Sequence, residues 1–329
     1  MTVDELDKLE HYRLIADEDE LKWFYDHCVH PLKRNEAYAF CLASRHKKLT
    51  EEERKGSGLG RSEMMDPTVV FCDHDGNLTY ERWKKGIRAY ECHKETFTTL
   101  SGEPFPAKTL VCYYHVNPCD ELKVIEDLKG YINTHEQELI NSAIRDIDRA
   151  NFIANIMGPE LTNYLHNTNV ENLDNIQKKI GALKLKSDES GTSQSLYKMC
   201  KSLSKMKRLQ FDNVGTKYWV DFDLDLSDDG KEYRESVEQA WRSYCTEKLG
   251  IGNFVIIKTT GGYHTLVKKE VVHWNPTKFC EDFEKSLKFE NSEINLIDEL
   301  VYNVNAMIPV PGTLQYCNLV EVINKGDFD

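Results

Sequence analysis

The stretch Tyr218-Trp219-Val220-Asp221-Phe222-Asp223-Leu224-Asp225 decides how the rest of the chain is interpreted. Side chains in a strand repeat every second residue, so Asp221, Asp223 and Asp225 are predicted to project from one face. Carboxylates this close repel one another, whereas a divalent cation offsets the repulsion and prefers oxygen ligands. The stretch therefore indicates a metal-binding strand. The alternative is a strand that runs into a solvated acidic turn at 227–230.

Length and charge limit the classes of protein to consider. The chain has 329 residues, is 40% hydrophobic and carries a net charge of −13. This length accommodates two or three compact units. No segment reaches the apolar length of a membrane span, and the acidic N-terminus is unlike a signal peptide, so we expect an intracellular protein without a membrane partner. The acidic balance is not that of a broadly basic nucleic-acid binder, so contact with nucleic acid needs a local basic groove.

The ten cysteines are predicted to be reduced and buried, because their spacing lacks the regularity of a secreted disulfide scaffold. Several lie close to a histidine in the sequence, and two such pairs could meet on zinc. Because the chain has no C-x-x-C pair, zinc is the less favoured interpretation. The neighbouring pairs are Cys28/His30, Cys72/His74, Cys92/His93 and Cys112/His115.

Composition and periodicity divide the chain into four segments. They are an N-terminal helical arm (1–30), an N-terminal α/β subdomain (31–118), a helical insertion with a mobile basic linker (119–207), and a C-terminal subdomain (208–329). Basic residues are concentrated between positions 178 and 208. In so acidic a chain, this basic cluster is a candidate for the surface that contacts a nucleic-acid template. The alternative is that it forms a solvated helix face. Its members are Lys178, Lys179, Lys184, Lys186, Lys198, Lys201, Lys205, Lys207 and Arg208.

A rival motif lies at 69–79, where a strand-like run ends in Asp73-His74-Asp75-Gly76-Asn77. The Asp-x-Asp-Gly pattern resembles the nucleophile loop of haloacid-dehalogenase-type phosphatases. Asp-Gly and Gly-Asn are also turn dipeptides, and a hairpin is the favoured interpretation. The glycine-rich run 56–62 lacks the spacing and the lysine of a phosphate-binding loop, so it is predicted to be a flexible loop.

The C-terminal third has a clear order of elements. The acidic strand is followed by a helix (about 231–248), two strands (253–258 and 263–268), a second helix (about 276–288) and a strand at 294–298. This β-α-β-β-α-β order matches the split βαβ of ferredoxin-like and RRM folds. The predicted fold class is therefore α+β, with an RRM-like catalytic subdomain packed against the N-terminal α/β subdomain.

That topology makes the first and third strands neighbours, so Asp221 and Asp223 are expected near His264. Asp298 is a further candidate to join them, from the end of the last strand. The turn Thr259-Thr260-Gly261-Gly262 offers backbone amides and two hydroxyls to a phosphate. Lys258 and Lys268 are expected to flank this turn. Carboxylates that hold divalent ions beside a phosphate site form the arrangement that nucleotidyl transfer requires.

Three motifs in this order resemble the archaeo-eukaryotic primase superfamily, which includes primase-polymerases of plasmids, phages and large viruses. They are Asp221-Phe222-Asp223, Gly262-Tyr263-His264 and Ile297-Asp298. The runs Val116-Asn117-Pro118 and Val310-Pro311-Gly312-Thr313 also look like features of phage-type members. The resemblance covers roughly 210–329 and extends in part to 37–118.

The resemblance implies a DNA primase or primase-polymerase that adds NTPs or dNTPs along a single-stranded DNA template. Asp221, Asp223 and Asp298 would be Mg²⁺ or Mn²⁺ ligands, and His264 would contact the incoming triphosphate. A helicase or an accessory replication subunit is an implied partner. Gly262 departs from the family's small hydroxyl residue, so Thr259 or Thr260 would have to supply that contact. A non-catalytic RRM-like module and an Asp73/Asp75 phosphatase remain alternatives.

Overall fold

The computed structural model describes most of the chain outside the predicted insertion. The basic residues 178–208 and the glycine-rich run 56–62 lie outside the described residues, as does most of the segment 119–207. The described residues are 5–6, 8–45, 49–52, 63–65, 67–73, 75–97, 104–120, 122–124, 126–127, 213–287 and 295–328.

The protein is α+β, with two antiparallel sheets and helices packed on them. The described helices are α1 (Glu18–Cys28), α2 (Tyr80–Arg88), α3 (Asp228–Glu232), α4 (Arg234–Leu249) and α5 (Pro276–Ser286). The described strands are β1 (Glu36–Ser44), β2 (Glu63–Met64), β3 (Thr68–Phe71), β4 (Leu110–His115), β5 (Cys119–Asp120), β6 (Trp219–Leu226), β7 (Phe254–Lys258), β8 (Gly262–Lys268), β9 (Ile297–Asn303), β10 (Met307–Pro309), β11 (Leu314–Gln315), β12 (Asn318–Leu319) and β13 (Glu321–Val322).

The first sheet is built around β1, in which every residue is buried, as the continuous apolar run 37–43 predicts. Its strand order is β12-β11-β4-β1-β2; β3 and β5 also pair with β1, and β10 pairs with β4. Helix α2 lies against β1, where a Cβ at Gly86 would stand 2.2 Å from the Phe40 ring. This approach lets Trp83 pack edge-on to Phe40 in the core.

The second sheet contains the acidic stretch as its strand β6. The strand order is β13-β7-β8-β6-β9, so the first and third strands of the C-terminal unit are neighbours, as the sequence predicts. Helices α4 and α5 cover one face, where Phe222 of β6 packs against Phe279. Trp241 of α4 donates from its indole Nε1 to Thr265 Oγ1 at 2.7 Å. The even-numbered side chains of β6 therefore form core, and the odd-numbered aspartates lie on the other face.

The two sheets share one hydrophobic core. Trp219, Leu266 and Ile257 of the second sheet belong to the same buried cluster as the core of the first sheet. Trp219 also donates from its indole Nε1 to the carbonyl of Cys28, at the end of α1, at 2.9 Å. The face that carries the aspartates is therefore partly occupied by the first sheet and α1, which fixes the sheets relative to each other.

The buried side chain of Asn117 links the two sheets by hydrogen bonds. Its Nδ2 donates to the carbonyls of Trp219 (2.9 Å) and Val304 (3.1 Å). Its Oδ1 accepts from the amides of Tyr218 (2.7 Å) and Trp219 (3.0 Å). Four backbone groups therefore depend on one side chain, which gives the Val116-Asn117-Pro118 run a structural role.

Replacing Asn117 by alanine is expected to destabilise the fold by about 3 kcal/mol, because it leaves several buried backbone groups without partners. Asn318→Ala is the control, since the Asn318 side chain is exposed and makes one bond, to Tyr316 O at 3.1 Å. Urea unfolding of both variants measures the difference. Equal stability of the two variants contradicts the assigned role of Asn117.

The predicted hairpin at 73–77 is wrong. Strand β3 ends at Phe71, and helix α2 follows. Asp73 Oδ1 accepts the amides of Asp75 (3.0 Å) and Asn77 (2.7 Å), and Thr79 Oγ1 accepts the amide of Arg82 at 3.3 Å as the N-cap. The helix-capping threonine and the apolar face of α2 therefore outweigh the Asp-Gly turn signal.

Two boundaries in the C-terminal unit also differ from prediction. The helix predicted at 231–248 is interrupted at Tyr233, so α3 and α4 are separate helices. The last strand predicted at 294–298 extends from Ile297 to Asn303. Asp298 therefore lies near the start of that strand. Strand β13, which pairs with the edge of β7, was not predicted.

The insertion leaves and re-enters the fold at neighbouring points. The amide of Asp120 donates to the Asn213 carbonyl at 2.7 Å, and the amide of Gly215 donates to the Pro118 carbonyl at 2.8 Å. Cys119 and Val214 form a β-bridge between these bonds. Residues 118–120 and 213–215 therefore lie side by side, next to β1.

Candidate active site

The central strands bring together the aspartates and histidine that the sequence analysis singled out. Asp223 of β6 lies directly opposite His264 of β8, and Asp221 is the next residue along the same face. His264 Nδ1 lies 2.9 Å from Asp221 Oδ2 and 3.6 Å from Asp223 Oδ1. The expectation that these three side chains share one pocket is therefore met.

The His264 imidazole is an ion-pair partner in this arrangement. Burial lowers its pKa, but the charge and hydrogen bond of Asp221, followed by the charge of Asp223, outweigh burial and raise the pKa to about 9. At neutral pH the ring is therefore protonated, and its Nδ1–H donates to Asp221 Oδ2. The Asp221 carboxylate orients the ring, as carboxylate partners of histidine commonly do.

Asp221 has an unmet hydrogen-bonding requirement. Its side chain is only 2% exposed, and its Oδ1 is buried with no hydrogen-bond partner among the residues that the structure describes. A buried carboxylate oxygen without a partner is costly, so one that persists needs an explanation. A cation on the open side of the pair would satisfy it.

Without a bound cation, the charged form of Asp223 is disfavoured. Burial is the main cause that raises its pKa to about 6; the charges of Asp221, Asp225 and Glu299 act in the same direction, and His264 opposes them. Its side chain is 39% exposed, so this carboxylate is accessible from solvent while Asp221 is not. A divalent ion beside Asp223 would favour its charged form and so lower its pKa.

The donor set fits Mg²⁺ or Mn²⁺. In the described part of the chain, no group of three or more His, Cys, Asp or Glu side chains already stands in a metal-binding arrangement. His74, of the Cys72/His74 pair considered for zinc, lies outside the described residues. Hard carboxylate oxygens are nevertheless what these ions prefer, and the unpartnered Asp221 Oδ1 lies beside the accessible Asp223. We therefore regard Asp221 and Asp223 as the pair that fits a divalent ion.

Strand β9 adds a further carboxylate to this face, that of Glu299. It lies directly opposite Asp225, and its charge contributes to the raised pKa of Asp223. Asp298 is exposed and lies beside the irregularity in the pairing of β6 with β9, between Ile297 and Glu299. The sequence analysis missed Glu299 because it ended the last strand at Asp298. The metal role of Asp298 stays a prediction.

The turn 259–262 lies beside the acidic face but is already occupied by internal hydrogen bonds. The Thr259 amide donates to Gly262 O (2.9 Å), and the Thr260 amide donates to Gln315 Oε1 (2.7 Å). Both threonine hydroxyls are also bonded within the protein, to Gly262 and Gln315. These amides and hydroxyls are therefore not free to bind a phosphate in this arrangement.

Close contacts with β6 explain why positions 261 and 262 of the turn are glycines. A Cβ at Gly262 would stand 1.8 Å from the Leu224 carbonyl oxygen, and one at Gly261 would stand 3.1 Å from Asp225 Oδ1. Arg234 fixes the turn from behind, because its guanidinium donates to the carbonyls of Thr259 and Thr260 at 2.8 and 2.7 Å. The family's hydroxyl residue therefore cannot fit at position 262 without moving β6.

The structure does not bring Lys258 to the acidic face, and Lys268 lies on that face but at the end of β8 away from the turn. Lys258 pairs with Tyr263, so its side chain lies on the helix-covered face, where it forms ion pairs with Glu238 (3.4 Å) and Glu321 (3.9 Å). Lys268 lies opposite Trp219 at the far end of β8. Positive charge for a phosphate must therefore come from elsewhere.

Asp223→Asn is expected to stabilise the metal-free fold by about 1 kcal/mol near pH 8, after discounting the pKa shift for solvent screening. Because the folded-state pKa is raised, the charged Asp223 costs stability as the pH rises from its ordinary value of 3.8 through about 6. The gain should therefore disappear near pH 4. Chemical unfolding with a chelator at both pH values measures it.

Asp228→Asn is the matched control for this comparison. Its exposed carboxylate is bonded to Lys231, which lowers the pKa of Asp228. This variant should show no gain near pH 8. If the stability of Asp223→Asn relative to wild type is the same near pH 8 as near pH 4, the charged form of Asp223 is not disfavoured in the fold, and this assignment is wrong.

Comparisons with known proteins do not assign this chain to a family. No helix among the described residues is long and apolar enough to cross a membrane. Models of protein families, curated proteins and solved structures were each compared with the chain, and none of them matches.

Proposed function

We propose that the protein is a DNA primase or primase-polymerase of the archaeo-eukaryotic type, which joins NTPs or dNTPs along a single-stranded DNA template. The observation that carries the proposal is the buried, unpartnered Asp221 Oδ1 beside Asp223 and His264. The β6-α4-β7-β8-α5-β9 order, with β6 and β8 adjacent, supports an RRM-like catalytic unit. The motif order supports the same assignment.

Asp221 and Asp223 would hold the catalytic Mg²⁺ or Mn²⁺, with Asp298 or its neighbour Glu299 as a further ligand. When bound, the ions lower the pKa of the attacking hydroxyl and offset charge on the leaving pyrophosphate. Because Asp221 accepts the Nδ1–H of His264, the rest of this positively charged ring is available to the triphosphate. Burial of Asp221 keeps water away from the inner side of the site, which strengthens these interactions.

The acidic face argues against a non-catalytic RRM-like module. Such modules present aromatic side chains on the exposed sheet face for stacking on bases. In this protein the corresponding positions of the central strands carry Asp221, Asp223 and His264. The single-stranded template is therefore proposed to bind beside these residues. A helicase or accessory subunit is proposed to supply the basic nucleic-acid-binding surface that the acidic chain lacks.

A primer-extension assay with Mn²⁺ or Mg²⁺ tests the proposal. The wild-type chain should extend a primer on a single-stranded template with dNTPs or NTPs. Asp73→Ala should leave extension unchanged, because Asp73 is bonded to backbone amides in a turn. If extension is absent and phosphate-ester hydrolysis is lost in Asp73→Ala, the phosphatase interpretation replaces this proposal. Template binding without turnover favours a binding module.

A further inference from the structure

Arg45 is a cation held at the end of β1 by a tyrosine of the neighbouring strand β4. It follows directly after β1, and its Nε and Nη2 donate to the Tyr113 hydroxyl at 3.2 and 2.8 Å. The guanidinium carbon lies 5.2 Å from the centre of the Tyr113 ring. Tyr113 is 8% exposed, so its ring provides a fixed support. Among the described residues no carboxylate forms an ion pair with Arg45.

Tyr113 lies near the acidic face as well as near Arg45. Burial is the main cause of the raised pKa of Tyr113; the charge of Arg45 lowers this pKa, and the charge of Asp223 raises it. Tyr316, packed against Tyr113, responds in the same way to Asp225 and Arg45. The contacts give the same placement, because Tyr316 packs against Tyr113. Gln315, the residue before Tyr316, accepts from its side chain the Thr260 amide of the turn beside Asp225.

Nucleotide transfer at this site needs a cation other than the metal. Lys258 lies on the opposite face of the sheet, and Lys268 lies at the far end of β8. The amides of Thr259, Thr260 and Gly262 are bonded internally. The chain has a net charge of −13, yet Arg45 has no carboxylate partner within the described ranges. A guanidinium held by one phenol still has donors free, and its planar geometry suits two phosphate oxygens at once.

We propose that Arg45 binds the phosphate groups of the incoming nucleotide across the gap from Asp221 and Asp223, with Tyr113 as the residue that positions its guanidinium. This inference rests on the proposed nucleotidyl transfer and names the chain's own phosphate contact within it. Arg45 touches the substrate, whereas Tyr113 acts only through Arg45. Metal binding depends on the aspartates and is independent of both residues.

The kinetic test separates these roles. Arg45→Gln is expected to raise the KM for the nucleotide at least about tenfold, since it removes a charged phosphate contact. Arg45→Lys should recover only part of this loss, because an ammonium does not reproduce two parallel bonds. Tyr113→Phe should raise KM by a few-fold with kcat nearly unchanged, and it serves as the second variant if Arg45→Gln does not fold. Affinity for Mn²⁺ should stay at the wild-type value in all three.

Arg242→Gln is the matched control, because Arg242 is an exposed arginine that pairs with Asp327 at 2.8 Å on the outside of α4. Binding of tripolyphosphate and of a non-hydrolysable dNTP in the presence of Mn²⁺ gives a readout besides activity. If the wild-type chain extends primers and Arg45→Gln matches it in KM and in both affinities, this inference is overturned and the proposed function stands. A wild-type chain that neither binds these probes nor extends primers overturns both.

Discussion

Asp221→Asn is expected to reduce nucleotide incorporation by at least about a thousandfold, because it removes the charge that we propose holds the catalytic cation and that orients His264. Asparagine keeps the size of the side chain and leaves an oxygen that can accept from His264 Nδ1. Folding should therefore survive while the chemistry does not. Single-turnover primer extension with Mn²⁺, at saturating nucleotide, measures the loss in the chemical step.

Asp225→Asn is the matched control for Asp221→Asn. Asp225 lies on the same strand and the same face, but it pairs with Gly262 and is exposed. Activity should remain within about tenfold of wild type, because this carboxylate lies beyond the pair that holds the ion. Equal losses in Asp221→Asn and Asp225→Asn contradict the assignment of the metal pair.

Gly262→Ser is expected to destabilise the protein by about 3 kcal/mol or more, because the new Cβ overlaps the Leu224 carbonyl oxygen. The overlap is with backbone, at 1.8 Å, so no side chain can rotate to relieve it. β8 would have to separate from β6 at the rung beside Asp223 and His264. Thermal unfolding should show a much lower midpoint, and extension activity should fall with it.

Gly326→Ser is the control for the effect of adding a side chain. A Cβ at Gly326 meets nothing within 4 Å, and Gly326 is not among the glycines with positive φ. Its stability should therefore stay within about 0.5 kcal/mol of wild type, as is usual for surface substitutions. A Gly262→Ser variant that is as stable as Gly326→Ser, and more active than wild type, would mean that position 262 accepts the hydroxyl found in the primase superfamily.

The pairing of β6 with β8 could be predicted because two general rules restrict it. A period of two residues places Asp221 and Asp223 on one face, and the β-α-β-β-α-β order makes the first and third strands neighbours. The register then follows from the buried partners, since a slip of one residue would turn the aspartates into the core. The meeting of Asp223 with His264 is therefore accessible to sequence reasoning.

Other parts of the site depend on details that local patterns do not contain. Glu299 was missed because the strand boundary depends on where β9 departs from regular pairing with β6. Lys258 was placed at the site although it alternates to the opposite face from His264. The contact of Arg45 with Tyr113 joins residues far apart in the sequence. No periodicity in either segment indicates it.

The features that mark the site also weaken the metal-free fold. Asp221 keeps a buried oxygen unpaired, and the charge on Asp223 is disfavoured by burial and by neighbouring carboxylates. Functional sites commonly retain such local conflicts, which a bound ligand resolves. We therefore expect Mn²⁺ to raise the unfolding temperature of the wild-type chain.

Binding of Mn²⁺ followed by electron paramagnetic resonance tests the central claim most directly, because it requires neither template nor nucleotide. The free-ion signal should decrease as wild-type protein is added and reach saturation at one or more sites per chain. Asp221→Asn should weaken this binding at least about tenfold, while Asp225→Asn and Asp228→Asn should resemble wild type. Equal affinity of the wild-type and Asp221→Asn chains would show that the aspartate pair beside His264 is not where the cation binds.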